Sequence, residues 1–464
     1  MLKINKNIIF LIAISLEVVL FHGLLFSDTS FNFIVFFQAF IILGFLLSIN
    51  KTITITSFIL ETLIFVILFT YHNYFNTPIN LLNISHQYKE GLDVLLKEPN
   101  IIWHKASLLI LLSAIIKIYY IKKYYTPIKV ARLFIIPILI FMFLMQQTFN
   151  QQTFYISYFN KYANMFGYFY AFNYQIHSYL DNKELEEKIK NTKFEKLDLG
   201  YKISKSKNIY VIQFESLDYH AINKETTPFL ESLKNKAIFY KIMPKEHRPS
   251  CNADFVVLTT STIYNDTSYI VYPLLNENIY NSIQTLPKLL NEYDYTTGFY
   301  HGYRQDFFNR GKHINKMGFD KVFFQSDLPK TLNSSNWGVD DKDLFSFVLS
   351  EKTNFNFIIT VSSHSPFEIG KKHLSPYKTP KTEKELYFNS INYVDRGLKK
   401  LISNSPEDSL FIIYSDHQSE VLEDTSTAMI VYDKQKKTSL KKSIDFKDLP
   451  YTIRTILEES AIKH

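Results

Sequence analysis

Cysteine is nearly missing from this chain: Cys251 is the only one in 464 residues, which excludes an internal disulfide and a cysteine-rich zinc centre. A glycine-rich phosphate loop of the Walker type is also missing, so an ATP-dependent kinase has no sequence support. There is no basic helix. The formal charge of +7 comes from scattered lysines, several of them flanking apolar segments, and does not mark a nucleic-acid surface. No low-complexity tract or internal repeat stands out, and the paired halves of a transporter are therefore absent.

The overall hydrophobic content of 47% and charged content of 20% hide a division along the chain. Ile, Leu, Phe and Val dominate residues 1–150, and charge gathers after position 180. Crossing the hydrocarbon core takes about 20 apolar residues. Five stretches qualify or nearly do: 7–27, 31–49, 52–71, 101–121 and 131–148. The first is too long for a signal-peptide core and has no small-residue cleavage site, so it is read as retained. Lys3, Lys6, Lys51, Lys122, Lys123, Lys129 and Arg132 fall on one side of these spans. The connectors on the other side hold Asp28, Glu90, Asp93 and Glu98 against Lys89 and Lys97. The positive-inside rule places the N-terminus in the cytoplasm and, after an odd number of spans, the rest of the chain outside. Glu61 and Lys105 lie within or at the edge of spans, where ionisable groups are costly. They mark either a functional site or an interhelical pair.

Residues 151–206 read as an interfacial segment and linker. Tyr155, Tyr158, Phe159, Tyr162, Phe166, Tyr168 and Tyr170 suit the membrane–water boundary, and 181–198 suits a solvated charged helix. From 207 to 464 short apolar runs alternate with helical stretches expected at 227–236, 285–293 and 383–403, the pattern of an α/β domain with a mostly parallel sheet. Four runs end in polar residues: 208–214 in Glu215-Ser216, 296–300 in His301-Gly302, 355–361 in Ser362-Ser363-His364, and 409–414 in Ser415-Asp416-His417. Ligands bind beyond the carboxyl ends of such strands, so the four ends point to one site. An Asp-His pair offers a hard oxygen beside an imidazole, a mixture suited to zinc or manganese.

These residues carry a resemblance. Residues 207–455 resemble the lipoteichoic acid synthase and phosphoglycerol transferase branch of the sulfatase-like (alkaline phosphatase) superfamily, relatives of the membrane-bound phosphoethanolamine transferases. VIQFES, TTPFLESL, RPSCNADF, LPKLLNEYDYTTGFYHG, DFFNR, MGFD, NWGVDD, SSHSPF, YSDHQSE and DFKDLPYTIRTIL follow one another in the family's order. Five spans ahead of the domain is likewise the family's layout. Departures occur at Ser250, where the family commonly has Thr, and at Arg248-Pro249, which replace Gly-Lys. Phe308 stands for Trp, and Ser419 for a Gly.

The resemblance implies Ser250 as nucleophile, with Glu215, Asp416, His417 and the Ser250 oxygen as ligands of one divalent metal, manganese ahead of magnesium or zinc. Arg310 and His364 are then expected on the phosphate oxygens, with His301 beside them. Arginine suits that task because its planar fork donates parallel hydrogen bonds to an oxyanion. Trp337 and Asp341 are assigned to loop packing. The implied reaction moves glycerophosphate or phosphoethanolamine from phosphatidylglycerol or phosphatidylethanolamine to an envelope glycan or lipid, outside a bacterial cytoplasmic membrane. Water as final acceptor would make the same site a phosphodiesterase or sulfatase. A formylglycine sulfatase, however, needs Cys-x-Pro-x-Arg where this chain has Cys-Asn-Ala-Asp-Phe from Cys251. A binding-only envelope protein is the remaining reading, favoured only by the departures at Ser250 and Ser419.

Overall fold

The computed structural model describes residues 6–25, 32–75, 105–127, 183–243, 250–261, 271–335, 337–367, 369–419, 421–422 and 426–461. They fall into two compact units, Met1–Asp181 and Asn182–His464.

The first unit contains α1 (Lys6–Leu25), α2 (Phe33–Ile49), α3 (Lys51–Phe75) and α4 (Lys105–Tyr124). Its apolar side chains face outward: Leu20 is 60% exposed and Ile115 is 65% exposed. Water does not tolerate such a surface, but a hydrocarbon solvent does. Inside, hydroxyls bond back to their own helices, Ser15 to the Leu11 carbonyl at 2.8 Å and Thr62 to that of Phe58 at 2.6 Å. Glu61 finds a partner in Lys117. The Lys117 ammonium lies 3.0 Å from Glu61 and 3.1 Å from Glu17, tying α1, α3 and α4 together. Ser113 donates to Glu17 as well.

Five spans were the expectation. Among the described residues, two helical segments, Lys6–Leu25 and Lys51–Thr70, are long and apolar enough to cross a membrane. The α2 helix is apolar but has only 17 residues, and α4 carries Lys105, Lys117, Lys122 and Lys123. The stretch 131–148 and the aromatic segment 154–179 lie outside the described residues.

The second unit is built on an eight-stranded sheet of β1 (Asn208–Phe214), β2 (Ile238–Met243), β3 (Thr297–His301), β4 (Lys321–Phe323), β5 (Phe355–Ile359), β6 (Ser409–Ser415), β7 (Thr427–Asp433) and β8 (Leu440–Asp445). The strand order is β8-β2-β7-β6-β1-β5-β3-β4. Only β7 runs antiparallel to its neighbours β2 and β6. Strands β6, β1, β5 and β3 are adjacent, parallel and buried on both faces, which is why they read as unbroken apolar runs in the sequence.

On one face, Tyr210, Ile212 and Phe214 of β1 pack into a core with α6 (Asp341–Ser350) and α7 (Glu383–Asn404), through Leu344, Val348, Ile391 and Leu398. Thr382 and Glu385 close the α7 N-terminus as a capping box. Strand alternation sends Gln213 to the opposite face, where α5 (Ser250–Thr259) packs on α8 (Leu449–Ala461).

Residues 183–206, expected as linker, belong to this unit. The Leu197 N–H donates to the Thr455 hydroxyl at 3.2 Å, Ser204 N–H to Asp433 at 2.9 Å, and Ser206 N–H to the Ser460 carbonyl at 3.3 Å. The charged helix is therefore followed by a strap, because its backbone groups find partners on the domain.

Two glycines set the loop that carries Trp337. Gly338 adopts φ +97°, and a Cβ there would meet the Gly302 carbonyl oxygen at 2.1 Å. The adjacent Val339 N–H donates to that same oxygen at 2.9 Å. Gly338→Ala is expected to cost roughly 1–3 kcal/mol from backbone strain, plus the clash, and to lower the thermal midpoint. An unchanged midpoint by scanning calorimetry would mean the loop reaches its place without this contact.

Candidate active site

Register brings the strand ends together. Phe214 of β1 lies opposite Ser415 of β6, so Glu215 and Asp416 leave the sheet side by side. The turn after Glu215 is fixed by Ser216, a non-glycine residue at φ +57°. Its N–H donates to Asp416 Oδ1 at 2.9 Å, its hydroxyl to Glu215 Oε1 at 2.8 Å, and its carbonyl accepts from the Tyr387 hydroxyl at 2.9 Å. Strain of this kind persists only where the surroundings over-determine it.

Ser250 arrives from the other direction, as the first residue of α5. Gln213 Nε2 holds its carbonyl at 3.0 Å, and the Tyr414 hydroxyl holds Gln213 at 2.7 Å. The Ser250 hydroxyl donates to Glu215 Oε2 at 3.1 Å and lies 3.2 Å from His417 Nε2. The helix N-terminus adds positive potential where an alkoxide or phosphate would sit.

His417 Nδ1 lies 2.8 Å from the Gln418 carbonyl, which assigns the proton to that nitrogen. Nε2 then presents its lone pair to Glu215 Oε1 at 3.3 Å and Asp416 Oδ2 at 3.5 Å. Ligand atoms of Glu215, Asp416 and His417 lie within 4.8 Å of one another. Buried Asp416 Oδ2 has no hydrogen-bond partner among the described residues. Three electron-pair donors converging, with Asp416 Oδ2 left without a partner, fit a divalent cation, and two carboxylates with one imidazole fit manganese, magnesium or zinc.

The remaining expected residues form a second group. Arg310 follows two residues in left-handed conformation, Phe308 at φ +57° and Asn309 at φ +61°. This turn buries the guanidinium, with its carbon 5.8 Å above the Phe308 ring. His301 ends β3, and its Nε2 lies 2.8 Å from Arg310 Nη1. His364 is half-buried, with Nδ1 2.8 Å from the Ser365 carbonyl and its ring 3.7 Å from that of Trp337. Burial holds its imidazole down at about 4, so it is neutral at physiological pH.

Asp341 is structural: its carboxylate accepts from the N–H groups of Val361 at 2.9 Å and Ser362 at 2.8 Å, steadying the approach to His364. Ser419 rebuilds its loop by donating from both its N–H and its hydroxyl to Asp218. Cys251 is fully buried and its thiol is pushed up by that burial, which leaves it no part in nucleophilic chemistry. Arg248 and Pro249 lie outside the described residues.

The sequence reading missed Gln213 and Asp254. Asp254, fully buried in α5, has Oδ2 2.8 Å from Arg310 Nε. A carboxylate four positions after Ser250, in an otherwise uncharged helix, was the available signal.

Buried carboxylates make the domain sensitive to pH. Asp416 is pushed up to about 7, first by burial and then by the Glu215 carboxylate. Asp218 and Asp254 are each pushed up to about 6, mainly by burial. An unfolded aspartate titrates near about 4, so between about pH 4 and 7 the native state holds protons the unfolded chain has lost, and stability falls as pH rises. The chelated protein is expected to melt higher near about pH 5 than near about pH 8, and added manganese to raise the midpoint more at the higher pH. A midpoint that rises with pH in chelator would contradict this arrangement of carboxylates.

Residues 207–452 match the Sulfatase family, more than half of the chain. Lipoteichoic acid synthase 2 of Bacillus subtilis (strain 168) is 26% identical over 240 residues, covering 46% of this chain and 36% of that protein. Lipoteichoic acid synthase 1 of the same organism is 26% identical over 236 residues, with the same shares covered. The chain thus spans little more than a third of the length of these curated relatives. Among solved structures, the lipoteichoic acid synthase LtaP from Listeria monocytogenes aligns with a TM-score of 0.47 at 20% identity, over 60% of this chain and 78% of that one.

Proposed function

The chain belongs to the sulfatase family, and from that premise we propose that it is a membrane-anchored transferase that moves a phospholipid headgroup through a covalent bond to Ser250. The observation that carries this reading is the Ser250 hydroxyl set 3.1 Å from Glu215 and 3.2 Å from His417, at a helix N-terminus and against a donor set built for a divalent cation. Similarity to lipoteichoic acid synthases favours glycerophosphate as the group moved, and the apolar outer surface of the helical unit favours a lipid as its source. Five membrane spans and an extracytoplasmic active site complete the proposal.

Glu215, Asp416, His417 and the Ser250 oxygen would hold the metal. When bound, it supplies a positive charge that lowers the pKa of the serine hydroxyl and steadies charge on phosphate oxygens. The rest falls to side chains. Ser250 Oγ attacks phosphorus as the bond from phosphorus to the diacylglycerol oxygen breaks. The proton lost by Ser250 balances the one taken by the departing oxygen. An acceptor hydroxyl then attacks the same phosphorus as the bond from phosphorus to Ser250 Oγ breaks, and the acceptor's proton passes by way of a base to Oγ, returning Ser250 to its starting state. His364, neutral with its proton directed at Ser365, offers Nε2 as that base. Arg310 meets the non-bridging oxygens.

Hydrolysis of sulfate esters is disfavoured by the same geometry. Cys251 is buried and Ser250 takes the position facing Glu215 and His417.

Ser250→Ala in the full-length protein, in detergent micelles with manganese, is expected to lower consumption of phosphatidylglycerol by about a thousandfold or more while leaving the melting temperature within a few degrees. Thin-layer chromatography of the lipid follows it, with phosphatidylethanolamine run in parallel. Retained turnover in the alanine variant would exclude Ser250 as the nucleophile. Turnover that requires no acceptor beyond water would make the protein a hydrolase.

A further inference from the structure

Asp254 is the only charged residue of α5 and is fully buried, yet the chemistry above gives it no task. It stands one helical turn beyond Ser250, so one rigid helix carries both residues. Its Oδ1 accepts from the Tyr272 hydroxyl and its Oδ2 pairs with Arg310 Nε at 2.8 Å. On the other side Arg310 Nη1 meets His301 Nε2 at 2.8 Å. A guanidinium only donates, so that nitrogen of His301 is the acceptor and its proton sits on Nδ1, facing the Ile359 carbonyl at 3.5 Å. Burial and the Arg310 charge keep His301 neutral.

Nη1 is thereby hydrogen-bonded to His301 and Nε is held by the charge of Asp254 as an ion pair. Nη2, on a residue 2% exposed, has no hydrogen-bond partner among the described residues. Arg310 also feels the charge of Glu215, a carboxylate the metal site needs. A buried cation without its own counter-charge would pair with Glu215 instead.

We propose that Asp254 is a positioning residue: with His301 it clamps Arg310 so that Nη2 faces the phosphoryl group on Ser250, and it keeps the guanidinium from collapsing onto Glu215. The proposal rests on the reading of Arg310 as a phosphate contact. It assigns His301 to the guanidinium and not to the substrate directly.

The test is calorimetric titration of the full-length protein with inorganic phosphate and, separately, with manganese alone. Asp254→Asn is expected to weaken phosphate binding by about tenfold or more. It is also expected to weaken manganese binding, because the released guanidinium competes for Glu215. Asp254→Glu keeps the charge and is expected to recover most of both affinities. In Asp254→Asn/Arg310→Ala the competing cation is gone, so manganese binding returns while phosphate binding is no weaker than in Arg310→Ala. A general packing defect would not be repaired by deleting a second residue.

Unchanged phosphate affinity in Asp254→Asn, or manganese affinity that stays low in the double variant, overturns the proposal. Should Asp254→Asn not fold, nitrogen-15 NMR of the unmodified protein decides. The Arg310 Nε–H, assigned by its loss in Arg310→Lys, is expected to exchange slowly with solvent, and exchange as fast as an exposed arginine would refute the clamp. If the unmodified protein binds manganese but neither binds phosphate nor consumes lipid, the phosphate reading itself fails and takes this proposal with it.

Discussion

Two carboxylates and an imidazole lone pair meet at the end of the sheet, and the rest of the domain is arranged around that unfavourable encounter. Left alone, Glu215 and Asp416 would repel each other, and burial shows in the raised pKa of Asp416. The cost is carried by neighbours. Ser216 accepts a left-handed backbone to bond both carboxylates, Tyr387 secures its carbonyl, and Gln418 fixes the proton on His417. Parallel β6 and β1, in register through seven residue pairs, set the separation. A divalent cation would resolve the repulsion, and the Ser250 hydroxyl, which faces Glu215 Oε2 and His417 Nε2, would share it.

A second charge balance sits beside the first. Arg310 and Asp254 neutralise each other at the base of the helix whose first residue is Ser250. Separate counter-charges keep the cationic and anionic halves of the site from cancelling. A phosphate diester passing through a covalent intermediate needs both: a cation-binding cluster at the nucleophile and a fixed positive edge for the oxygens that gain charge. The membrane unit uses the same economy, with Lys117 satisfied between Glu17 and Glu61 among helices that otherwise face outward with apolar side chains.

Much of the site was legible because the strands that deliver it are buried on both faces. An apolar run that stops at Glu, His or Asp-His announces a strand end, and the four ends share one edge of a parallel sheet. Partnerships were less legible. His301 sits at the edge as expected, but nothing in TTGFYH says that its Nε2 turns to Arg310. Gln213 and Asp254 act through contacts with residues 37 and 56 positions away, which no local pattern records. The partner of Glu61 was within reach: Lys117 is a charge inside an apolar run, the same signal that marked Glu61 itself. Of the five expected spans, two meet the length and composition test among the described residues, since α2 has 17 residues and α4 carries four lysines, and 131–148 lies outside the described residues.

The proposed chemistry turns on a covalent bond between phosphorus and Ser250. Intact-mass spectrometry of the full-length protein, quenched during incubation with manganese and phosphatidylglycerol or phosphatidylethanolamine, tests it most directly. A mass gain equal to the transferred headgroup phosphate, mapped to Ser250 and absent from Ser250→Ala, is expected. Lipid consumed at the wild-type rate with no adduct on Ser250 at any quench time, or an adduct that persists in Ser250→Ala, would contradict it.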